Sequence, residues 1–395
     1  MNKWILHCDL NCFYASCEMI DKPYLKNIPM CVGGDQDSRH GIVLAKNIPA
    51  KKYGIKTGEP LNTSYQKCPN LRVVPPNYHK YQYYSKQVIN IFKTYSDKVE
   101  TFGIDEAWID VTASIRYFGG IKKIVDSIIE RVYKELGLTI SIGIADNKVY
   151  AKLGSDLAGV QEYRFIKDIN DIKDLPVENL LMVGQKTKES LKLINIKTIG
   201  QLAKMNIDTL VRTFGKNGHY LHLLANGIDQ SPVKNIDYIH QPKSIGKGTT
   251  TYRDLKNLDD VKIIISGLSQ EIAKRLNEEK LYFKTINLQI RDKKLETRSF
   301  QMTLKENTDL SYDIYRFTLL LFKKYSFNIN IRSITITVSN FSNYKDALEF
   351  NLLNENSDYY QKEKALDRAF QKIRTKFGNQ KICKANIFLD QKLII

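Results

Sequence analysis

Three carboxylates are the side chains best placed to do chemistry in this chain: Asp9, Asp105 and Glu106. Asp9 lies at the end of WILHCDL, an apolar run that reads as a strand. Asp105 and Glu106 sit within KVETFGIDEAWIDVT, residues 98–112, which reads as two short strands around a turn at 103–106. Taken singly, an acid at a strand end or turn is a common turn former or cap. The apolar flanks Phe102, Ile104, Ala107, Trp108 and Ile109 point further, because acids gathered at one sheet edge repel each other and lose hydration unless a cation neutralises them. Magnesium takes oxygen ligands, often one or two carboxylates together with substrate phosphates. Two such ions about 3.5–4 Å apart clamp the attacking and leaving oxygens of a phosphoryl transfer. Adjacent residues of a flat strand face opposite ways, so Asp105 and Glu106 share a site only if the chain bends there.

Other metal-binding types are not so arranged. The six cysteines, Cys8, Cys12, Cys17, Cys31, Cys68 and Cys383, form no CxxC pair of the kind zinc sites use, and read as free thiols in a reducing cytosol. His219 and His222 lack accompanying Cys or carboxylate ligands and read as a helix-surface pair.

The elements that must position the acids follow from periodicity. Residues 19–75 are punctuated by Pro and Gly and read as a small subdomain of short elements. IKKIVDSIIERVYKEL, 121–136, has helical spacing of apolar residues. LTISIGIA, 138–145, is a β-branched strand, and DNKVYAKLGSDLA continues into a helix. Together these predict an α+β layer of helices on a mostly antiparallel sheet. Residues 166–228 read as mostly helical, 229–243 as a linker, and 244–350 as a second α+β unit of two helices and alternating strands. A helix is expected over 359–377.

Composition narrows the partners. The 395 residues include 60 Lys+Arg against 43 Asp+Glu, a net charge of +17, with 23 Tyr, 16 Phe and 2 Trp. Such a surplus with many aromatics fits a nucleic acid better than a bare solvated surface. No run approaches the roughly 18 apolar residues of a membrane span. The N-terminal apolar stretch is broken by Asp9 and makes a poor signal peptide.

Four segments, CDLNCFYASCE (8–18), VLAKNIPAKKYGIKTGEP (43–60), TFGIDEAWIDVT (101–112) and SIGIADNKVYAKLGSDLA (141–158), resemble in order the motifs of the Y-family, translesion DNA polymerases of the polymerase IV and UmuC type. The resemblance covers residues 1 to about 350. It implies a polymerase right hand with an added α+β little finger: palm over 1–19 and 76–165, fingers over 20–75, thumb over 166–230, linker over 231–243, little finger over 244–350, then a C-terminal helix and tail over 351–395. Asp9, Asp105 and Glu106 then match the carboxylates that bind two Mg²⁺, with the carbonyl of Leu10 as a further ligand. Tyr14 matches the steric gate against a 2′-hydroxyl. Phe13, Ala45, Lys51, Lys148 and Lys152 fall at nucleotide-binding positions, and Ser141 and Gly143 on the strand beside the carboxylates. Ala45 replaces a common Thr, Lys51 a common Arg, and Gly159 stands where a phosphate-binding Lys is usual, so Lys46 or Lys152 is expected to help hold the triphosphate. Val32, Ile42, Leu44 and Gly58 match the roof over the nascent base pair. Ile42 and Leu44 are larger than the alanines of broadly tolerant members, which predicts poorer acceptance of bulky adducts.

Gly184, with Lys186 and Lys188, resembles a helix-hairpin-helix turn whose backbone N–H groups face a phosphate. Lys243, Lys247, Thr249, Thr250, Thr251, Arg253 and Arg332 would grip DNA from the little finger. The closing QKLII, 391–395, weakly resembles a sliding-clamp peptide. The implied protein is a cytoplasmic, monomeric DNA-directed DNA polymerase whose partners are primer-template DNA, dNTPs and a sliding clamp. The rivals are a nucleotidyl cyclase, which needs no basic DNA-binding unit, and a DNA-binding or clamp-binding relative without activity.

Overall fold

The apolar N-terminal run folds as strand β1 (Ile5–Leu10), and a left-handed residue, Cys12 at φ 50°, turns the chain directly into helix α1 (Phe13–Asp21). The computed structural model describes residues 3–34, 41–238, 241–324, 330–343, 357–378, 382 and 393. These separate into two compact units on either side of residues 239–240.

After α1, the first unit builds a small three-stranded sheet. It contains β2 (Met30–Gly33), β3 (Val43–Lys46) and β4 (Arg72–Val74) in the order β3-β2-β4, with helices α2 (Ile48–Lys52) and α3 (Leu61–Lys67) beside it. Helix α4 (Tyr78–Lys93) follows, an element not separately read from the sequence. Its start is set by Asn77, whose side chain accepts the Lys80 N–H at 3.1 Å.

The main sheet contains β5 (Val99–Thr101), β6 (Glu106–Asp110), β7 (Ile140–Ala145) and β8 (Tyr163–Phe165) with β1, in the order β5-β6-β1-β7-β8. All pairings are antiparallel except β7 with β8, as the predicted mostly antiparallel layer requires. Helix α5 (Ile121–Leu136) has the bounds its periodicity gives. Ile124, Val125, Ile128 and Val132 are buried, each worth about 1.5–3 kcal/mol, and Gly137 ends the helix in the left-handed conformation.

The strand alternation sorts the sheet's two faces. Leu6, Cys8, Leu10, Ala107, Ile109, Ile140, Ile142 and Ile144 share one core with residues of α1, α4 and α5. The opposite face receives helix α6 (Lys148–Leu157), capped by the Asn147 side chain. Helices α7 (Gln185–Leu193), α8 (Ile199–Lys204), α9 (Ile207–Phe214) and α10 (Lys216–Ala225) form the predicted helical segment, whose core also includes Val149, Tyr150 and Leu153 of α6. His219 and His222 lie on α10. The segment read as a linker has no helix or strand over 229–238, yet it is tied to the sheet unit. Its Ile236 N–H donates to the Asp97 carbonyl, and its Lys234 N–H to Glu100.

The second unit is a four-stranded antiparallel sheet of β9 (Ser244–Leu255), β10 (Leu281–Asp292), β11 (Thr297–Thr308) and β12 (Ile331–Asn343), ordered β11-β10-β12-β9. Helices α11 (Leu258–Glu279) and α12 (Ser311–Lys324) share its core, with Ile286, Leu288, Ile334, Ile336 and Val338 facing inward. The alternate positions, such as Thr285, Asn287, Gln289, Thr335 and Thr337, make a polar opposite face. The expected C-terminal helix spans Ser357–Phe377. Its Asp367 accepts from the Ser311 N–H at 2.9 Å and so caps α12 from outside. The QKLII peptide and Cys383 lie outside the described residues, apart from Leu393, which is buried in this core. Among the described residues, no helix is long and apolar enough to cross a membrane.

Candidate active site

The β1–β6 register brings the acids together. Asp9 is the direct partner of Glu106, and across β7 it is the partner of Ser141. Directly opposed antiparallel residues project on the same face, with Cβ atoms about 4.5–5.5 Å apart. Asp105 precedes β6, in the bend after Phe102, and its carbonyl accepts the Leu10 N–H at 3.0 Å. The chain therefore does bend at Asp105–Glu106, as a shared site demands. Gly103 makes room for the bend: a Cβ there would stand 3.2 Å from an Asp105 carboxylate oxygen.

Helix α6 lays a cation on this cluster. Lys152 Nζ lies 2.6 Å from Glu106, 3.4 Å from Asp9 and 2.9 Å from Asp156. Burial works against its charge, but the hydrogen bonds to Glu106 and Asp156 more than offset that and hold its pKa above the ordinary value. Asp9 is pushed up to about 7, first by burial, against the pull of Lys152, and with repulsion from Glu106, Asp105 and Asp156 adding to it. Asp105 is also raised, mainly by burial. These are carboxylates short of positive charge.

His7, fully buried on the same face, was not singled out from the sequence. Ser155 Oγ donates its single proton to the Lys152 carbonyl at 2.8 Å, so the 2.7 Å contact with His7 Nδ1 has the imidazole as donor. Nε2 is left without a hydrogen-bond partner, 3.5 Å from Glu106 Oε2. Burial, then the Lys152 charge, hold the imidazole well below its usual pKa. A buried lone pair thus faces the cluster.

Among the described residues, no three His, Cys, Asp or Glu side chains converge closely enough to enclose an ion by themselves. The donor set instead fits a hard divalent cation that shares its coordination with substrate oxygens: carboxylates in register, raised pKa values, and an ammonium already bridging two of them.

The other predicted residues fall into distinct environments. Tyr14 lies on α1 against Tyr81, and Phe13 is in the core beside it. Ala45 pairs with Val32 across β2–β3; Val32 is fully buried, so it fills core, while Ile42 is 41% exposed. Leu44 is partly buried, and Gly58 occupies a turn at φ +85°. Lys51 and Lys46 are close enough for their charges to oppose the upward push of burial on the Cys12 thiol. Lys46 also donates to Thr57 at 3.1 Å.

Lys148 is nearly buried, bonded to Glu100 at 2.8 Å and seated 4.6 Å above the Trp108 ring, so it already has partners of its own. At Gly159 a Cβ would fall 2.3 Å from the Glu162 carboxylate, which receives the Gly159 N–H.

Gly184 opens α7 with no atom within 4 Å of an added Cβ, and Lys186 is exposed, whereas Lys188 pairs with Glu178 at 2.7 Å. In the second unit Lys243 and Lys247 are exposed and Thr249, Thr250 and Arg332 partly so. Arg253 makes a two-pronged pair with Asp260, at 2.7 and 2.9 Å. Thr251 is buried, and its hydroxyl proton is shared between the Arg253 and Arg332 carbonyls.

Residues 8–156 match the impB/mucB/samB family, and residues 242–351 match that family's C-terminal domain. The DNA polymerase IV of Acetivibrio thermocellus is 39% identical over 100% of this chain and 99% of its own length. The DNA polymerase IV of Clostridium acetobutylicum is 33% identical over 98% of each chain. The DNA polymerase IV 2 of Bacillus subtilis is 32% identical over 97% of this chain and 94% of its own. A solved Y-family DNA polymerase chimera, 23% identical, shares the fold with a TM-score of 0.75 over 86% of this chain and 99% of that one. Read with the carboxylate register, these likenesses place the chain in the impB/mucB/samB family, among the Y-family DNA polymerases of the polymerase IV type.

Proposed function

We infer that this chain is a DNA-directed DNA polymerase of the translesion class, working on primer-template DNA with dNTPs in the cytoplasm. The observation that carries the reading is the Asp9–Glu106 register with Asp105 tied to Leu10 beside it, at the open end of a sheet in a chain of +17. A nucleotidyl cyclase would have no use for the second unit and its family match.

The reaction is attack of the primer 3′-oxygen on the α-phosphate of a dNTP, with pyrophosphate leaving. Asp9, Asp105 and Glu106, with the Leu10 carbonyl, would hold Mg²⁺, two ions per site. Bound there, the metal neutralises charge that develops on the reacting oxygens. The chain's own contribution is placement. The β1–β6 pair fixes the spacing of Asp9 and Glu106, and the His7–Ser155 bond fastens α6 to β1. Lys152 supplies positive charge at the cluster's edge, while Lys46 and Lys51 supply it near Cys12, on the expected triphosphate side. Tyr14 would meet the sugar and exclude a 2′-hydroxyl. On this reading the main sheet is the palm, the β2–β4 subdomain the fingers, α7–α10 the thumb and the second unit the little finger.

Primer extension on an undamaged template with Mg²⁺ tests it. The unaltered chain should extend the primer, and Glu106→Ala should lose activity by about 100-fold or more while still binding DNA. Failure of the unaltered chain to extend would leave a DNA-binding relative without activity.

A further inference from the structure

We propose that Tyr78 is a positioning residue for the ring of Tyr14, and so helps set sugar discrimination. The proposal rests on the gate reading of Tyr14. Three tyrosines form one assembly. The Tyr14 ring stacks on Tyr81 with centroids 4.2 Å apart and planes at 12°. Tyr81 is fully buried, and its hydroxyl donates at 2.9 Å to Glu18, itself buried and paired with Lys80. Tyr81 is thus a fixed floor.

A floor sets the plane of the upper ring but does not stop it sliding. Tyr78 stands perpendicular to both rings, 6.1 Å and 90° from Tyr14, and 6.0 Å and 79° from Tyr81. Both distances and angles are those of a favourable edge-to-face pair. Its own position is rigid at the backbone, because it is the first residue of α4, next to the Asn77 cap and preceded by Pro75 and Pro76. Half of its surface is exposed, 51%, so its ring is not there to fill a core.

The assembly sits at the site. The pKa of the Tyr14 phenol is raised by burial, then by the charge of Asp105, then by Tyr78, which places both close to it. A ring that discriminates by a clash of one hydroxyl depends on where its edge stands. Removing the Tyr78 wall lets that edge retreat. Edge-to-face pairs carry couplings that correspond to changes of about 2- to 10-fold.

Single-nucleotide insertion by the full chain, with matched dNTP and rNTP, tests this. Tyr78→Ala should lower the ratio of kcat/KM for dNTP over rNTP by about 2- to 10-fold, through faster rNTP insertion rather than slower dNTP insertion. Tyr78→Phe should keep the parent ratio, because the ring and not the hydroxyl makes the wall. Tyr14→Ala should lower the ratio further, and Tyr78→Ala should add nothing on that background, since it acts through Tyr14. An unchanged ratio in Tyr78→Ala beside a lowered one in Tyr14→Ala overturns the proposal, as does full additivity in the double variant. An unchanged ratio in Tyr14→Ala removes the gate reading, and the proposal with it.

Discussion

Asp9 shows how a side chain's chemistry is made by its surroundings. An ordinary aspartate ionises near 3.8, but here burial and neighbouring acids lift it to about 7. Between those values the folded chain holds a proton that the unfolded chain has released. Stability from this group therefore falls as pH rises from about 4 to about 7. Thermal melts in chelator across that range should show a declining Tm in the parent and a flatter profile in Asp9→Asn. Identical slopes would show that Asp9 is not the group responsible. Added Mg²⁺ should stabilise the parent more at pH 8 than at pH 5, because a carboxylate must lose its proton to bind a metal. His7 adds to this setting: it stays neutral through burial and turns a lone pair toward Glu106, leaving the acids to look elsewhere for positive charge.

At the scale of elements, the close approach of α6 to β7 decides the site. A Cβ on Gly143 would fall 1.8 Å from the Ala151 carbonyl oxygen and 2.3 Å from the Ser155 nitrogen. Both are backbone atoms, so the helix itself would have to move. That contact sets Lys152 over Asp9 and Glu106, and Ser155 against His7. Gly143→Ala should cost about 1–3 kcal/mol in a denaturant titration and reduce primer extension more than the stability loss explains. Parent-like stability and activity would contradict the packing described. The periodic elements were legible beforehand: α5 has its predicted bounds, and β1, β6 and β7 lie where apolar runs place them. Helix α4 is not legible in the sequence because its buried face uses Tyr81 alongside Val88, Ile91 and Phe92, within a run of tyrosines that obscures the period.

For the whole molecule, the charge surplus and the acidic site are local opposites. The exposed Lys186, Lys243 and Lys247 and the partly exposed Arg332 carry part of the +17, while Lys148, Lys188 and Arg253 are taken up by Glu100, Glu178 and Asp260. Internal pairing of that kind lowers the number of cations open to phosphates. Primer-template affinity should still fall steeply with salt, log K declining linearly with log salt at about 0.9 per phosphate contact. Lys247→Ala should reduce that slope by about one if Lys247 meets a phosphate, measured by fluorescence anisotropy over a salt series. An unchanged slope would remove Lys247 from the contact set.

By itself the sequence determined the α+β class, most of the strands and helices in their order, the basic character, and which acids to expect at one sheet edge. Those follow from periods of two and 3.6 residues, from composition, and from motifs in family order, all readable along the chain. Tertiary structure decided what the residues near those acids do. Lys152 meets Asp9 across 143 residues of chain, and Tyr81 meets Glu18 across 63. Such meetings depend on strand register and helix packing, where one Cβ or one slip of register reverses the outcome. That is why the bond of Lys148 to Glu100 and of the Thr251 hydroxyl to the Arg332 carbonyl, 48 and 81 residues apart, could not be read along the chain.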